Sequence, residues 1–189
     1  MEKKDWHILP ECYIDTNLIE FLLGSNGVNH QKGCNFVAKQ MNESKLKDMF
    51  SIGIIDNDKR QPTYVSEFTI VAQSQHIELL KHKSRPHFII RITLAMDQFI
   101  IDCASETSVR LEEFGLPSTL EALTKVTKDV KAKNDYRFKS LFNAVSHSNE
   151  MVILRSVIKY LNTHRYQSNT EEIIGFFQSQ ETGNPTTDK

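Results

Sequence analysis

The run Phe50-Ser51-Ile52-Gly53-Ile54-Ile55-Asp56-Asn57-Asp58 constrains this chain more than any other stretch, because an apolar segment of strand length stops abruptly at two carboxylates. A strand covered on both faces reads as a near-continuous hydrophobic run, the pattern of parallel sheets enclosed by helices. In open α/β sheets, ligands bind beyond the carboxyl ends of such strands. Alternation along an extended backbone puts Asp56 and Asp58 on one side and Asn57 on the other. Two acids there suit a hard divalent cation, since magnesium prefers carboxylate oxygens, keeps several waters and completes its shell with phosphate oxygens. A turn, in which Asp and Asn are common, accounts for the same letters.

The chain has 189 residues, 39% of them hydrophobic, enough for one good core with a helical extension. Its 23 basic and 24 acidic residues nearly cancel, so no global field advertises a polyanionic partner and any nucleic-acid contact must come from local patches. Cys12, Cys34 and Cys103 lack Cys-x-x-Cys spacing, which argues against a disulfide framework and a thiolate zinc site and fits a reducing interior. The opening Met1-Glu2-Lys3-Lys4-Asp5-Trp6 lacks an apolar signal-peptide core, and no apolar run approaches bilayer length. A soluble, cytoplasmic protein with no membrane contact is the expectation.

Hydrophobic periodicity predicts a short extended run at Cys12-Tyr13-Ile14-Asp15, a helix continuing from Asn17 to Leu23 and capped by Asp15 or Thr16, and a stop at Gly24-Ser25-Asn26-Gly27. A second helix is expected within Cys34 to Met49, followed by the strand described above. Ile77 to His82 and His87 to Ile92 read as strands, Phe68 to Ala72 as either helix or strand, and Ala95 to Ala104 as an amphipathic helix. Beyond that the strand signal fades into three helices, Leu116 to Val130 with Pro117 near its first turn, Tyr136 to His147, and Met151 to Tyr166. The expected organisation is an α/β core over 1–110, a helical extension packed on it over 111–180, and a flexible tail over 181–189.

Three features then stand in order: an acid at a strand-to-helix junction in Tyr13-Ile14-Asp15-Thr16-Asn17, the element Lys32-Gly33-Cys34-Asn35-Phe36-Val37, and the Asp-x-Asp strand end. This order resembles the topoisomerase-primase (Toprim) domain of topoisomerases, primases, recombination-repair proteins and related nucleases, over residues 11 to 105. Ile92 to Ile101 is similar to the helix after the last core strand in small standalone members. The resemblance implies a Rossmannoid core with a mostly parallel central sheet flanked by helices. It also implies a Mg2+ or Mn2+ ion on Asp56 and Asp58, with Asp15 as a further ligand or as the general acid or base that is normally Glu in the family. The residue after that acid, usually Gly, is Thr16. The implied activity is hydrolysis of a DNA or RNA phosphodiester, in nucleic-acid defence or repair.

Lys59 and Arg60, directly after the acids, read equally as groups that bind phosphate or stabilise developing charge and as solvated charges at a strand end. Lys81, Lys83 and Arg85 form a local basic cluster and are the further candidate nucleic-acid contacts. Lys125, Lys128, Lys131 and Lys133 have helical spacing, but Asp129 and Glu121 dilute them, and a solvated helix face is the simpler reading. His76, His82 and His87 are not spaced as helical ligand pairs and read as packing residues. Two other readings stand beside the nuclease. One is a catalytically inactive Toprim-like module that binds a protein partner or a second copy of itself. The other is a PIN-like ribonuclease, because Ile14-Asp15-Thr16-Asn17-Leu18 also resembles the opening strand of that family.

Overall fold

In the computed structural model, which describes residues 4–57 and 60–181, β1 (Ile8–Pro10), β2 (Ser51–Asp56), β3 (Phe68–Gln73), β4 (Ile77–His82) and β5 (His87–Ile92) form one sheet in the order β1-β2-β5-β4-β3. β1 runs parallel to β2 and β2 to β5, whereas β4 is antiparallel to both β5 and β3. The sheet is therefore mixed, half parallel and half antiparallel by pairing, where a mostly parallel one was expected. The short turns from β3 to β4 and from β4 to β5 leave no room for a crossover helix, and so dictate the antiparallel half.

Side chains alternate across the sheet as the period of two requires. Ile8, Ile52, Ile54, Phe88, Ile90 and Ile92 enter one core, and Leu9, Ile55, Leu80 and Ile89 enter the other. The first core is covered by α1 (Tyr13–Leu23), α3 (Met96–Glu106), α4 (Leu120–Thr127), α5 (Tyr136–Ala144), α6 (Asn149–His164) and α7 (Thr170–Glu181). The second core is covered by α2 (Cys34–Glu43) and by the 3-10 turn Thr63–Glu67. This double cover explains why β2 is apolar almost throughout. Gly53 lets α2 approach closely, since a Cβ there would lie 2.8 Å from Val37 Cγ1 and 2.9 Å from Met41 Sδ. The outer edge of β1 is closed by the backbone of Asn29 and Gln31, whose N–H groups donate to the carbonyls of Ile8 and Pro10. The helical extension shares the first core with the sheet instead of forming one of its own.

Several boundaries differ from the sequence-based expectation. Tyr13-Ile14-Asp15 is helix, not strand, because Cys12 is the last extended residue and Asp15, at the third helical position, turns back to accept its N–H at 3.0 Å. This is a capping box with cysteine in the usual Ser/Thr place, and it moves the Asp-Thr-Asn sequence out of any opening strand. Gly24, at φ 62°, closes α1 in the left-handed conformation that glycine favours. The expected helix from Leu116 to Val130 is broken. Its α-helical part is confined to Leu120–Thr127, and Asp129 accepts the N–H of Lys131 to start a separate 3-10 turn, Val130–Asn134. Helix α7 had no sequence-based counterpart. It is held by Ile173 and Phe177, four residues apart and both buried.

Candidate functional site

The carboxyl ends of β1, β2 and β5 meet at one rim. Glu11 follows β1 directly, Asp56 ends β2, and Asp97 lies in the first turn of the helix after β5. The Asp56 N–H donates to Glu11 Oε2 at 3.0 Å, tying the two strand ends together. Asp56 Oδ1 accepts the N–H of Met96 at 3.1 Å, so a β2 carboxylate faces the amino end of α3, where its negative charge is favourable. Thr124 Oγ1 donates to Asp97 Oδ2 at 2.7 Å and brings α4 onto the same rim. A cavity of about 60 Å³ opens there, lined by Glu11, Asp56 and Asp97 and by Thr127 and Lys128 from the helical extension.

Asp15 lies behind this rim, with none of its surface exposed. Its Oδ2 is used by the Cys12 cap, and Oδ1 is buried without a hydrogen-bond partner, as is Asp97 Oδ1. Burial pushes the Asp15 carboxyl up to about 7; hydrogen bonds from Cys12 oppose the shift, and the charges of Glu11 and Asp97 add to it. The shift registers chiefly the loss of solvent around this carboxyl, with the neighbouring acids as lesser contributors. The Cys12 thiol is raised well above its ordinary range, by burial first and then by Asp15, and so stays protonated at neutral pH. A thiolate nucleophile is therefore not what this rim offers.

The structure redistributes the residues singled out from sequence. Asp56 stands at the carboxyl edge as expected. The acid that follows the first strand is Glu11, not Asp15, and the residue after it is Cys12. Sequence reasoning missed Glu11 because Pro10 and Cys12 obscured the end of β1, and the three-residue strand is too short for periodicity to register. Asp58 and Lys59 lie outside the described residues, and Arg60 is exposed on the loop after them.

Lys81, Lys83 and Arg85 lie elsewhere. They occupy the end of β4 and the turn into β5, and the first residue of β5 pairs with the first residue of β2. They therefore flank the opposite edge of the sheet, about 17 Å from Asp56 along a six-residue strand. Local structure employs all three. Arg85 donates to Asn42 Oδ1 at 2.7 Å and to the Tyr64 hydroxyl, Lys83 reaches the Ser66 carbonyl, and the Lys81 ammonium lies 5.8 Å from the Phe88 ring centre.

The histidines are packing and bridging groups. His82 bonds Glu67 at 3.1 Å, and His87, its pKa lowered by burial, sits between the Tyr64 hydroxyl and the Leu46 carbonyl. His76 stands 3.3 Å from Asp102 beside an open cavity of about 540 Å³ that Glu106 and Glu150 also line. Glu150 accepts hydrogen bonds from Ser74 Oγ and the backbone of Gln75 and His76, which fixes the turn into β4. Cys103, on the same wall, is pushed up to about 12 by burial and is no nucleophile there.

Among the described residues, no group of three or more His, Cys, Asp or Glu side chains is arranged to hold a metal ion. Nor is any of their helices long and apolar enough to cross a membrane. No protein-family model matches the chain, and no curated protein or solved structure is significantly similar to it.

Proposed function

We propose that the Glu11–Asp56 rim is a divalent-cation site and that the protein is a metal-dependent nuclease acting on DNA or RNA, organised like a Toprim domain. The observation that carries this reading is the hydrogen bond joining Glu11 Oε2 to the Asp56 backbone, which puts the acids of two neighbouring parallel strand ends side by side. Once the helical placement of Asp15 is taken into account, a Glu after the first strand and an Asp at the end of the next parallel strand follow the order that the resemblance calls for. Cys12 stands where the family usually has Gly.

The donor set fits Mg2+ or Mn2+. It is made of hard carboxylate oxygens, and magnesium needs only one or two of them when waters and substrate phosphate fill the remaining positions. Two buried carboxylate oxygens without partners, on Asp15 and Asp97, adjoin the same rim. Asp56 would hold the ion, with Asp58 as the further ligand implied by the Asp-x-Asp pattern. When bound, the ion would supply charge neutralisation at the phosphoryl oxygens. Glu11 would take the proton from the attacking water as its oxygen bonds to phosphorus. The bond from phosphorus to the departing sugar oxygen breaks, and that oxygen leaves with a proton from solvent. The Asp56 N–H fixes the orientation of the Glu11 carboxylate for this task.

A second reading, an inactive interaction module, draws support from the structural work these acids already do: each of Glu11, Asp15 and Asp56 accepts a backbone N–H. Incubation of labelled single-stranded and duplex DNA and RNA with Mn2+ separates the two readings. The nuclease reading expects cleavage by the wild type that Glu11→Gln and Asp56→Asn each abolish. Absence of cleavage on every substrate, or equal cleavage by the variants, refutes it.

A further inference from the structure

Three lysines at and beyond the end of α4 lie on a segment, here called the ridge, whose backbone is fastened to α1. Lys128 closes α4 and lines the same cavity as Glu11, Asp56 and Asp97. Beyond it, Lys131 and Lys133 lie in the 3-10 turn Val130–Asn134. Among the described residues, the ammonium groups of Lys128, Lys131 and Lys133 make no ion pair, whereas Lys125 is bound to Glu121 at 2.7 Å. Apolar and aromatic surface is interleaved with these charges, with Val130 61% and Tyr136 75% exposed.

The ridge is held in register with the acids. Asn17, fully buried on α1 two residues after Asp15, donates its side-chain amide to the carbonyls of Ala132 at 2.7 Å and Asp135 at 3.2 Å. Burying an amide is costly unless it is bonded. The anchor fixes the backbone that carries Lys131 and Lys133 relative to the helix that follows Glu11.

We propose that this ridge, Lys128, Lys131 and Lys133 with Tyr136 as a stacking platform, binds single-stranded nucleic acid and leads its backbone to the Glu11–Asp56 rim. The proposal deepens the nuclease reading and rests on it for the direction of the strand, though not for binding itself. Ammonium groups without ion pairs among the described residues are available to phosphates, and an exposed phenol ring is available to stack on an unstacked base, which a duplex does not present. Lys128, at the cavity mouth, is placed to hold the phosphate next to the one cleaved.

The test measures anisotropy of a labelled thymidine oligonucleotide and of its duplex over a salt series in EDTA. Wild type, Lys128→Glu/Lys131→Glu and Tyr136→Ala are compared, and the Mn2+-induced shift in Tm is read on the same proteins after transfer to EDTA-free buffer. The substituted side chains are exposed or surface-lying, so folding is retained. The expected result is stronger binding of the single strand and affinity lowered about tenfold or more by Tyr136→Ala. The double charge reversal should reduce the log–log salt slope by about 1.4, at roughly 0.7 for each phosphate no longer neutralised. Unchanged affinity in both variants overturns the ridge, even if Mn2+ still stabilises the protein. Duplex preference overturns the single-strand assignment. Weakened oligonucleotide binding with no Mn2+ response in any protein upholds the ridge and removes the metal site.

Discussion

Glu11 Oε2 lies 3.0 Å from the backbone nitrogen of Asp56, so the ends of two neighbouring parallel strands are joined by a side chain where the ladder of main-chain bonds runs out. The backbone ladder sets the register of β1 against β2, and this one further bond brings the two acids together. Everything proposed about chemistry grows from that junction.

Asp15 makes stability depend on pH. Its carboxyl is raised to about 7 by burial, against about 3.9 in an unfolded chain. Between those values the folded state keeps a proton that the unfolded state has lost, so stability falls as pH rises through this window, by up to ~4 kcal/mol from linkage. Asp15→Asn removes that slope. Thermal unfolding from pH 4 to pH 8 should show the variant gaining on the wild type as pH rises; parallel curves would contradict it.

Asn17→Ala should strip the bonds from the carbonyls of Ala132 and Asp135. The Ala132 carbonyl keeps the N–H of Asp135 at 3.4 Å, so the loss is that of two side-chain hydrogen bonds, about 0.5–1.5 kcal/mol each. Hydrogen exchange should rise across Val130–Asn134 more than in β2, and uniform protection would show that the anchor is not what holds this segment.

Gly53→Ala places a methyl within 3 Å of Val37 and Met41. Met41 can yield, but Val37 is β-branched and stiff. Overpacking of this kind costs roughly 1–3 kcal/mol, which denaturant titration should reveal as a lower midpoint with an unchanged slope.

Lys83→Ala with Arg85→Ala tests the two ends of the sheet against each other. Arg85 is bonded to Asn42 and Tyr64 on the edge opposite the acids, so the pair should cost some stability and leave oligonucleotide affinity unaltered. A large loss of affinity would relocate the binding surface to that edge.

How far the fold could be read from sequence depended on the length of each element. β2, β4, β5 and α3 announced themselves because six or more residues repeated a clear pattern. β1 has three residues and no pattern to show, so its end was misplaced, and with it the first acid of the rim. The capping box beginning at Cys12 escaped notice because cysteine is not an expected cap. Antiparallel pairing of β4 lay in turn lengths that hydrophobic periodicity does not report. The four lysines were read as helically spaced, and only the break at Asp129, with the Asn17 anchor more than a hundred residues away in sequence, shows the last two on a separate turn fixed to α1. The Asp56 strand end was legible because apolar runs that stop at acids are uncommon unless both faces are covered.

Calorimetric titration of the protein with Mn2+, repeated for Glu11→Gln and Asp56→Asn, tests the central claim most directly. The account predicts saturable binding by the wild type that each substitution abolishes while circular dichroism stays unchanged. Equal binding by all three proteins, or none by the wild type, would contradict it.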